Sequence, residues 1–172
     1  MAVMKRGRSP SQAAGTSFEG VAVSAGLPAL AGLTAVQGAY RSSIATSAGA
    51  AFSGSVDMDQ HFLASEPHAN RWDYGVGINM RATEMAFWIE PHPASSTSEV
   101  DVMLRKLAWI KDKLGQAQYA KLKARTDHAA KSGCFPYRWL AGGSIRIRAG
   151  SAEALRLAKA GLAMPARHVT LP

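Results

Sequence analysis

Residues 71–93 read RWDYGVGINMRATEMAFWIEPHP, and the rest of the chain can be organised around them. Residues 71–78 alternate moderately between apolar and polar and predict a strand that starts near Asp73. Residues 79–83 predict a turn, and residues 84–91 a second strand ended by Pro91. Side chains alternate between the faces of a strand, which divides the second strand into two sets: Met85, Phe87 and Ile89 on one face and Ala86, Trp88 and Glu90 on the other.

Three side chains of this predicted hairpin have the chemistry of a site. Glu90 and His92 are two residues apart and should project from the same face, opposite Asp73 on the neighbouring strand. Two converging carboxylates suit Mg²⁺ or Mn²⁺, which prefer oxygen ligands. Such a metal neutralises charge on a phosphodiester and lowers the pKa of a bound water. His92 would orient that water, act as a base or coordinate the metal.

The clearest helix of the chain follows the hairpin. Residues 96–99 (Ser-Thr-Ser-Glu) have a capping-box pattern. An apolar stripe comes after it, made of Val100, Met103, Leu104, Leu107, Ile110 and Leu114. Lys106 lies on the side of Met103 and Ile110, so its long stem could reach back toward the sheet. The alternative is that the ammonium group of Lys106 is simply solvated at the surface.

The remaining elements are weaker. Near-helical spacing of apolar side chains predicts a helix over residues 28–46, and residues 52–59 are extended. Strands are predicted at residues 135–140 and 144–149, with a last helix over residues 152–160. The fold class is therefore α/β (α+β), with a small central mixed sheet flanked by helices.

This arrangement resembles the PD-(D/E)XK, or restriction-endonuclease-like, nuclease superfamily. Asp73 in RWDYGVG and Glu90 in FWIEPHP match its two acidic positions, and His92 stands where the superfamily has lysine. The resemblance spans about residues 27–162 and implies a helix–strand–strand–strand–helix–strand core. It implies catalytic roles for Asp73, Glu90 and His92, with Lys106 able to replace the missing lysine. It also implies a Mg²⁺ or Mn²⁺ cofactor and a metal-dependent phosphodiesterase that acts on DNA or RNA.

The net charge of +8 and the pI near 10.0 favour a polyanionic partner such as nucleic acid. The cations expected to contact it are Lys121, Lys123 and Arg125 in a basic polar stretch, and Arg146 and Arg148 on one face of a late strand. The alternative is that these residues form a solvated outer face.

An additional ligand could come from the run SVDMDQH. Asp57, Asp59 and His61 alternate, so in an extended chain all three would share one face. Asp59 is the residue expected to join Asp73 and Glu90 around a metal. The other interpretation is a solvated end of a strand.

Residues 1–18 are basic and polar and predict a flexible arm, followed by a single domain over residues 19–172. A lone cysteine, Cys134, excludes an intrachain disulfide framework and a cysteine-cluster zinc site. The uncharged run over residues 20–40 is too weakly apolar to span a bilayer, so the expectation is a cytoplasmic protein without a membrane partner. A homodimer is an assembly common among small nucleases.

Two other functions remain open from sequence. One is a catalytically inactive nuclease-like fold that serves as a nucleic-acid-binding or protein-interaction module. The other is a scaffold in which buried Asp73 and Glu90 pair with Arg71 or Arg81.

Overall fold

The computed structural model describes residues 16–81 and 83–172 and has a mixed α/β architecture. The helices of the described chain are α1 (Phe18–Ser24), α2 (Gly38–Arg41), α3 (Met58–Phe62), α4 (Glu99–Gly115), α5 (Ala120–Lys131) and α6 (Ala152–Ala160), with a 3-10 turn at Ala117–Tyr119. The strands are β1 (Ile44–Thr46), β2 (Ala50–Asp57), β3 (Tyr74–Met80), β4 (Thr83–Pro91), β5 (Tyr137–Leu140) and β6 (Val169–Leu171).

The central sheet has four strands in the order β2-β3-β4-β5. The first three form an antiparallel meander, and β5 joins β4 in parallel, so the sheet is mixed. The β3–β4 hairpin is tight: Met80 pairs with Thr83, and Arg81 takes a left-handed φ of 49°. A separate parallel pair joins β1 to β6.

The two faces of the central sheet bury different side chains. Ala86 and Trp88 of β4 lie in the core formed with α1, α4 and α6. Met85, Phe87 and Ile89 lie in a second core with Val36, β1 and β6. This alternation confirms the sequence prediction for the strand, and the sheet is covered on both sides.

Two glycines of β3 let α1 and β4 pack against the strand backbone. A Cβ on Gly77 would lie 2.1 Å from Phe18 Cβ, and one on Gly75 would lie 2.6 Å from the ring of Trp88. Phe18 is fully buried, and its backbone N–H donates to Glu84 at 2.7 Å. Most of the predicted arm, residues 1–15, lies outside the described residues, but Phe18 belongs to the core.

Several predicted elements are confirmed with small shifts of their ends. The hairpin forms β3 and β4, and the late strand forms β5. The last helix, α6, has the predicted bounds, with Ser151 as N-cap and the left-handed Gly161 as C-cap. The stripe on α4 is buried apart from Leu104, which is partly exposed.

The helix predicted over residues 28–46 is wrong. Only Gly38–Arg41 is helical in this region, and Gly32 takes a left-handed φ of 56° that interrupts a helix. Leu30 instead forms an antiparallel bridge to Ser55 and is exposed. The apolar side chains at helical spacing in this segment therefore lie in different environments and do not form one face of a helix.

The strand predicted over residues 144–149 is also wrong. Only Ile145 makes a bridge there, to Ala94. Alternation of side chains cannot say whether a partner strand is present, and Pro93, just before Ala94, cannot donate a ladder hydrogen bond.

The helix α5 and the strand β6 were missed. Leu122 is the one large apolar side chain among the buried positions of α5; Thr126 is polar and Ala129 is small, so the apolar period is weak. Thr126 accepts a hydrogen bond at 2.9 Å from the indole N–H of Trp88, which fixes α5 against β4. Among the helices of residues 16–81 and 83–172, none is long and apolar enough to cross a membrane.

Candidate functional site

The ammonium group of Lys106 lies between the carboxylates of Asp73 and Glu90. Its Nζ donates to Asp73 Oδ1 at 3.2 Å and makes a close contact with Glu90 Oε1. The other oxygen of Glu90 accepts the backbone N–H of Asp73 at 2.9 Å. The structure therefore brings together three of the four predicted catalytic residues.

Local structure explains why these side chains meet. Asp73 immediately precedes β3, and Glu90 is the penultimate residue of its neighbour β4. Lys106 is on the face of α4 that packs on the sheet, where Met103 and Ile110 are fully buried. The stem of Lys106 thus reaches the sheet, as one of the two sequence interpretations expected.

Burial sets the protonation of this cluster. The Glu90 side chain is 0% exposed, compared with 16% for Lys106 and 25% for Asp73. Burial, together with the nearby Asp73 charge, raises the pKa of Glu90 to about 8. Burial also raises the pKa of Asp73. For Lys106, burial alone would lower the pKa, but attraction to Glu90 and Asp73 outweighs it and raises the pKa.

His92 does not join this contact. Its Nε2 pairs with Glu99 Oε2 at 2.8 Å, and its backbone carbonyl accepts the indole N–H of Trp139 at 2.8 Å. Glu90 and His92 both pair with α4, through Lys106 and Glu99, which are seven residues and two turns apart. The predicted capping box is wrong. The Glu99 carboxylate pairs with His92, and the N-cap of α4 is Ser98 rather than Ser96.

The expectation that Asp57, Asp59 and His61 share one face of an extended chain is wrong. The helix α3 begins at Met58, and Asp57 caps it by accepting the Gln60 N–H at 2.8 Å. Asp59 pairs with Arg71 at 2.8 Å rather than pointing into a shared ligand group. The α3 N-terminus still contacts the site, because Asp73 O accepts the Met58 N–H at 2.7 Å.

Acidic groups outnumber bases around Asp73. Asp57, Asp59 and Glu90 each repel it, and burial, followed by the charges of Asp73 and Asp59, raises the pKa of Asp57. Within residues 16–81 and 83–172, the cations that pair with these carboxylates are Lys106, with Asp73 and Glu90, and Arg71, with Asp59. A region with this excess of negative charge attracts a cation.

A second lysine cluster on α4 was not foreseen. Lys113 is buried and pairs with Glu66, and its Nζ lies 4.3 Å from the centroid of the Phe62 ring. Trp109 donates its indole N–H to Glu66 at 2.8 Å. Bonds from Lys113 and Trp109 lower the pKa of Glu66. The signal was available, because Glu99, Lys106 and Lys113 recur every seven residues on one helix face.

The predicted nucleic-acid contacts divide into two groups. On α5, Lys123 pairs with Asp127 at 2.6 Å and Arg125 pairs with Glu84 at 2.5 Å, whereas Lys121 is exposed. Arg146 and Arg148 are exposed in the loop before α6, and neither forms an ion pair within the described residues.

Asp73, Glu90 and Lys106 together form the Lys106 cluster, and its two carboxylates fit a Mg²⁺-like ion in number and type. Among the described residues, no group of three or more His, Cys, Asp or Glu side chains is placed to hold a metal. Mg²⁺ is commonly bound through only one or two carboxylates, with waters and substrate phosphates as further ligands. Asp73 and Glu90 would be these two ligands.

A scan against protein-family models and searches of curated proteins and of solved structures find no match to this chain.

Proposed function

We propose that the chain is a metal-dependent phosphodiesterase that acts on nucleic acid, with Asp73 and Glu90 as metal ligands and Lys106 as the basic group of the site. The observation that carries the proposal is the placement of the Lys106 ammonium against both carboxylates. Lys106 supplies the fixed positive charge that His92 cannot guarantee at neutral pH.

The order of elements supports the proposal. When α2, β1, α3 and α5 are set aside, α1, β2, β3, β4, α4 and β5 have the order that the sequence resemblance implies. The first helix of that series is α1 rather than the segment 28–46. The +8 net charge suits a polyanionic substrate.

Each side chain has a distinct part in the reaction. A divalent metal, when bound, neutralises charge on the phosphodiester and activates water for attack. Asp73, the more exposed carboxylate, and Glu90 in its ionised form would hold the metal. The ammonium group of Lys106, which lies against both carboxylates, would place a positive charge beside the phosphate, where negative charge builds up.

The test is cleavage of mixed single- and double-stranded nucleic acid with Mg²⁺ or Mn²⁺. Asp73→Asn and Glu90→Gln should each reduce the rate by at least about a hundredfold, because each removes a ligand charge while keeping the side chain's shape. Asp101→Asn is the matched control, since Asp101 is an exposed partner of Arg156. Equal rates in all three variants would exclude this site.

A second candidate function is a catalytically inactive nucleic-acid-binding module of the same fold. It is favoured by the complete hydrogen bonding of Glu90, whose two oxygens are both engaged. Such a module would bind nucleic acid in a salt-sensitive way and show no metal-dependent cleavage.

A further inference from the structure

A surface cavity of about 630 Å³ lies between the N-terminal ends of α4 and α6. Its polar lining includes Ser96, Thr97, Arg146, Arg148, Ser151 and Glu153. The loop that carries the arginines is attached to the chain before α4, because the Arg146 N–H donates to Ala94 O at 2.8 Å. The cavity is therefore built from two segments held in a fixed relation.

The two arginines of the cavity differ from the three arginines of the described chain that are held in ion pairs. Arg71, Arg125 and Arg156 each pair with a carboxylate. Arg146 and Arg148 are both exposed and enter no ion pair within residues 16–81 and 83–172. A guanidinium group presents a planar set of donors that matches two phosphate oxygens.

The rest of the lining adds to this preference for an anion. Hydroxyl groups of Ser96 and Thr97 can donate to phosphate oxygens, and α4 and α6 both point their positive ends toward this region. Glu153 is the single acid among the lining residues, so the two arginines leave an excess of one positive charge.

The cavity lies along α4 from the Lys106 cluster. Thr97 of the lining is two residues before Glu99, and Glu99 is seven residues before Lys106. The seven residues of helix from Glu99 to Lys106 span about 10 Å along the axis.

We propose that this cavity binds a backbone phosphate of the same nucleic acid strand whose phosphodiester is held at Asp73, Glu90 and Lys106. That the strand is the same one rests on the proposed function, whereas binding itself does not. The nucleic acid contact is then made mainly by Arg146 and Arg148, and the cations of α5, which do not line the cavity, contribute little.

The test measures binding of a fluorescent single-stranded oligonucleotide to the full chain in EDTA, where metal-dependent cleavage is absent. Arg146→Gln combined with Arg148→Gln should lower the slope of log K against log salt by about 1.4 and weaken binding at 0.1 M salt roughly 10- to 30-fold. Lys121→Gln combined with Lys123→Gln removes the same charge and should change affinity less than about threefold.

Glu153→Gln is a second test of the cavity that leaves both arginines in place. Because it removes the one acid of the lining, it should strengthen oligonucleotide binding several-fold. An equal loss from both double variants, or no response to Glu153→Gln, would overturn the cavity as the contact. Inorganic phosphate that binds this cavity while the oligonucleotide does not would overturn nucleic acid as the ligand. Cleavage assays of Asp73→Asn are read separately, so failure of the catalytic site and failure of this cavity remain distinguishable.

Discussion

Two lysines of α4, the partly buried Lys106 and the buried Lys113, lie on the same face of the helix but have different partners. Lys113 has one acid, Glu66, which also accepts from Trp109, and its ammonium lies close to two aromatic rings. Lys106 has two acids and no aromatic contact within the described residues. The first cluster has one acid for its lysine, and the second has two acids, of which Glu90 keeps its proton below about pH 8.

The pKa values of the acids follow this difference. The pKa of Glu66 is lowered by bonds from Lys113 and Trp109, as in a pair that stabilises the fold. The pKa of Glu90 is raised to about 8 by burial and by the Asp73 charge. A buried carboxyl that costs free energy to ionise is more typical of a functional site than of a structural ion pair.

The largest difference should appear in catalysis. Lys106→Met should reduce the rate of metal-dependent cleavage by about a hundredfold or more, because the charge that faces the phosphate is lost. Lys113→Met is the matched control on the same helix and should keep the rate within about threefold. Rates that fall equally in both variants would remove the distinction between the clusters.

The pH dependence of stability should have opposite signs in the two clusters. The pKa of Glu90 in the folded protein is raised above its usual 4.5, so protonated Glu90 stabilises the fold. This contribution to the free energy of unfolding is complete below about pH 4.5 and is lost as the pH rises to about 8. The loss is at most about 1.4 kcal/mol per pH unit. The pKa of Glu66 is lowered, so ionised Glu66 stabilises the fold at pH values above its usual pKa of 4.5. This contribution to the free energy of unfolding is lost as the pH falls.

Urea unfolding across pH 3–9 checks both slopes without metal. Glu90→Gln should remove the loss of stability between about pH 5 and 8, and Glu66→Gln should remove only the loss on the acid side. A Glu90→Gln variant that keeps the wild-type slope above pH 5 would contradict the raised pKa.

Lys113→Met should lower the free energy of unfolding by about 1–3 kcal/mol, because a charged hydrogen bond and two cation–π contacts are lost. Unfolding by urea at pH 7 measures it, with the exposed Lys159→Met as control. A free energy of unfolding equal to that of wild type would show that the Lys113 ammonium does not stabilise the packing of Phe62 and Trp109.

The smallest effect should come from His92→Gln. The His92–Glu99 pair is partly exposed and should contribute less than about 1 kcal/mol. Cleavage should fall less than tenfold, since His92 contacts Glu99 rather than the carboxylates of the Lys106 cluster. A loss as large as that of Lys106→Met would return His92 to the catalytic group.

The sequence predicted those elements in which the apolar residues recur with a single clear period, of two residues in a strand or about 3.6 in a helix. The alternation in β4 and the stripe on α4 were each long enough to fix a face, but they left open whether Lys106 reaches the sheet or is solvated at the surface. The partners of His92 and Asp59 could not be predicted, because they depend on where α4 and α3 begin. The helix α5 was missed because its buried side is small and polar at Thr126 and Ala129.

The most direct test of the central claim is Mn²⁺ binding, measured by titration calorimetry at pH 6, 7 and 8. The Lys106 cluster should bind one Mn²⁺ per chain, with an affinity that rises about tenfold per pH unit up to about pH 8 as Glu90 loses its proton. Asp73→Asn and Glu90→Gln should abolish binding, whereas Glu66→Gln and Asp59→Asn should keep it. Binding that survives in Asp73→Asn, or is absent from the wild-type chain, would contradict the assignment.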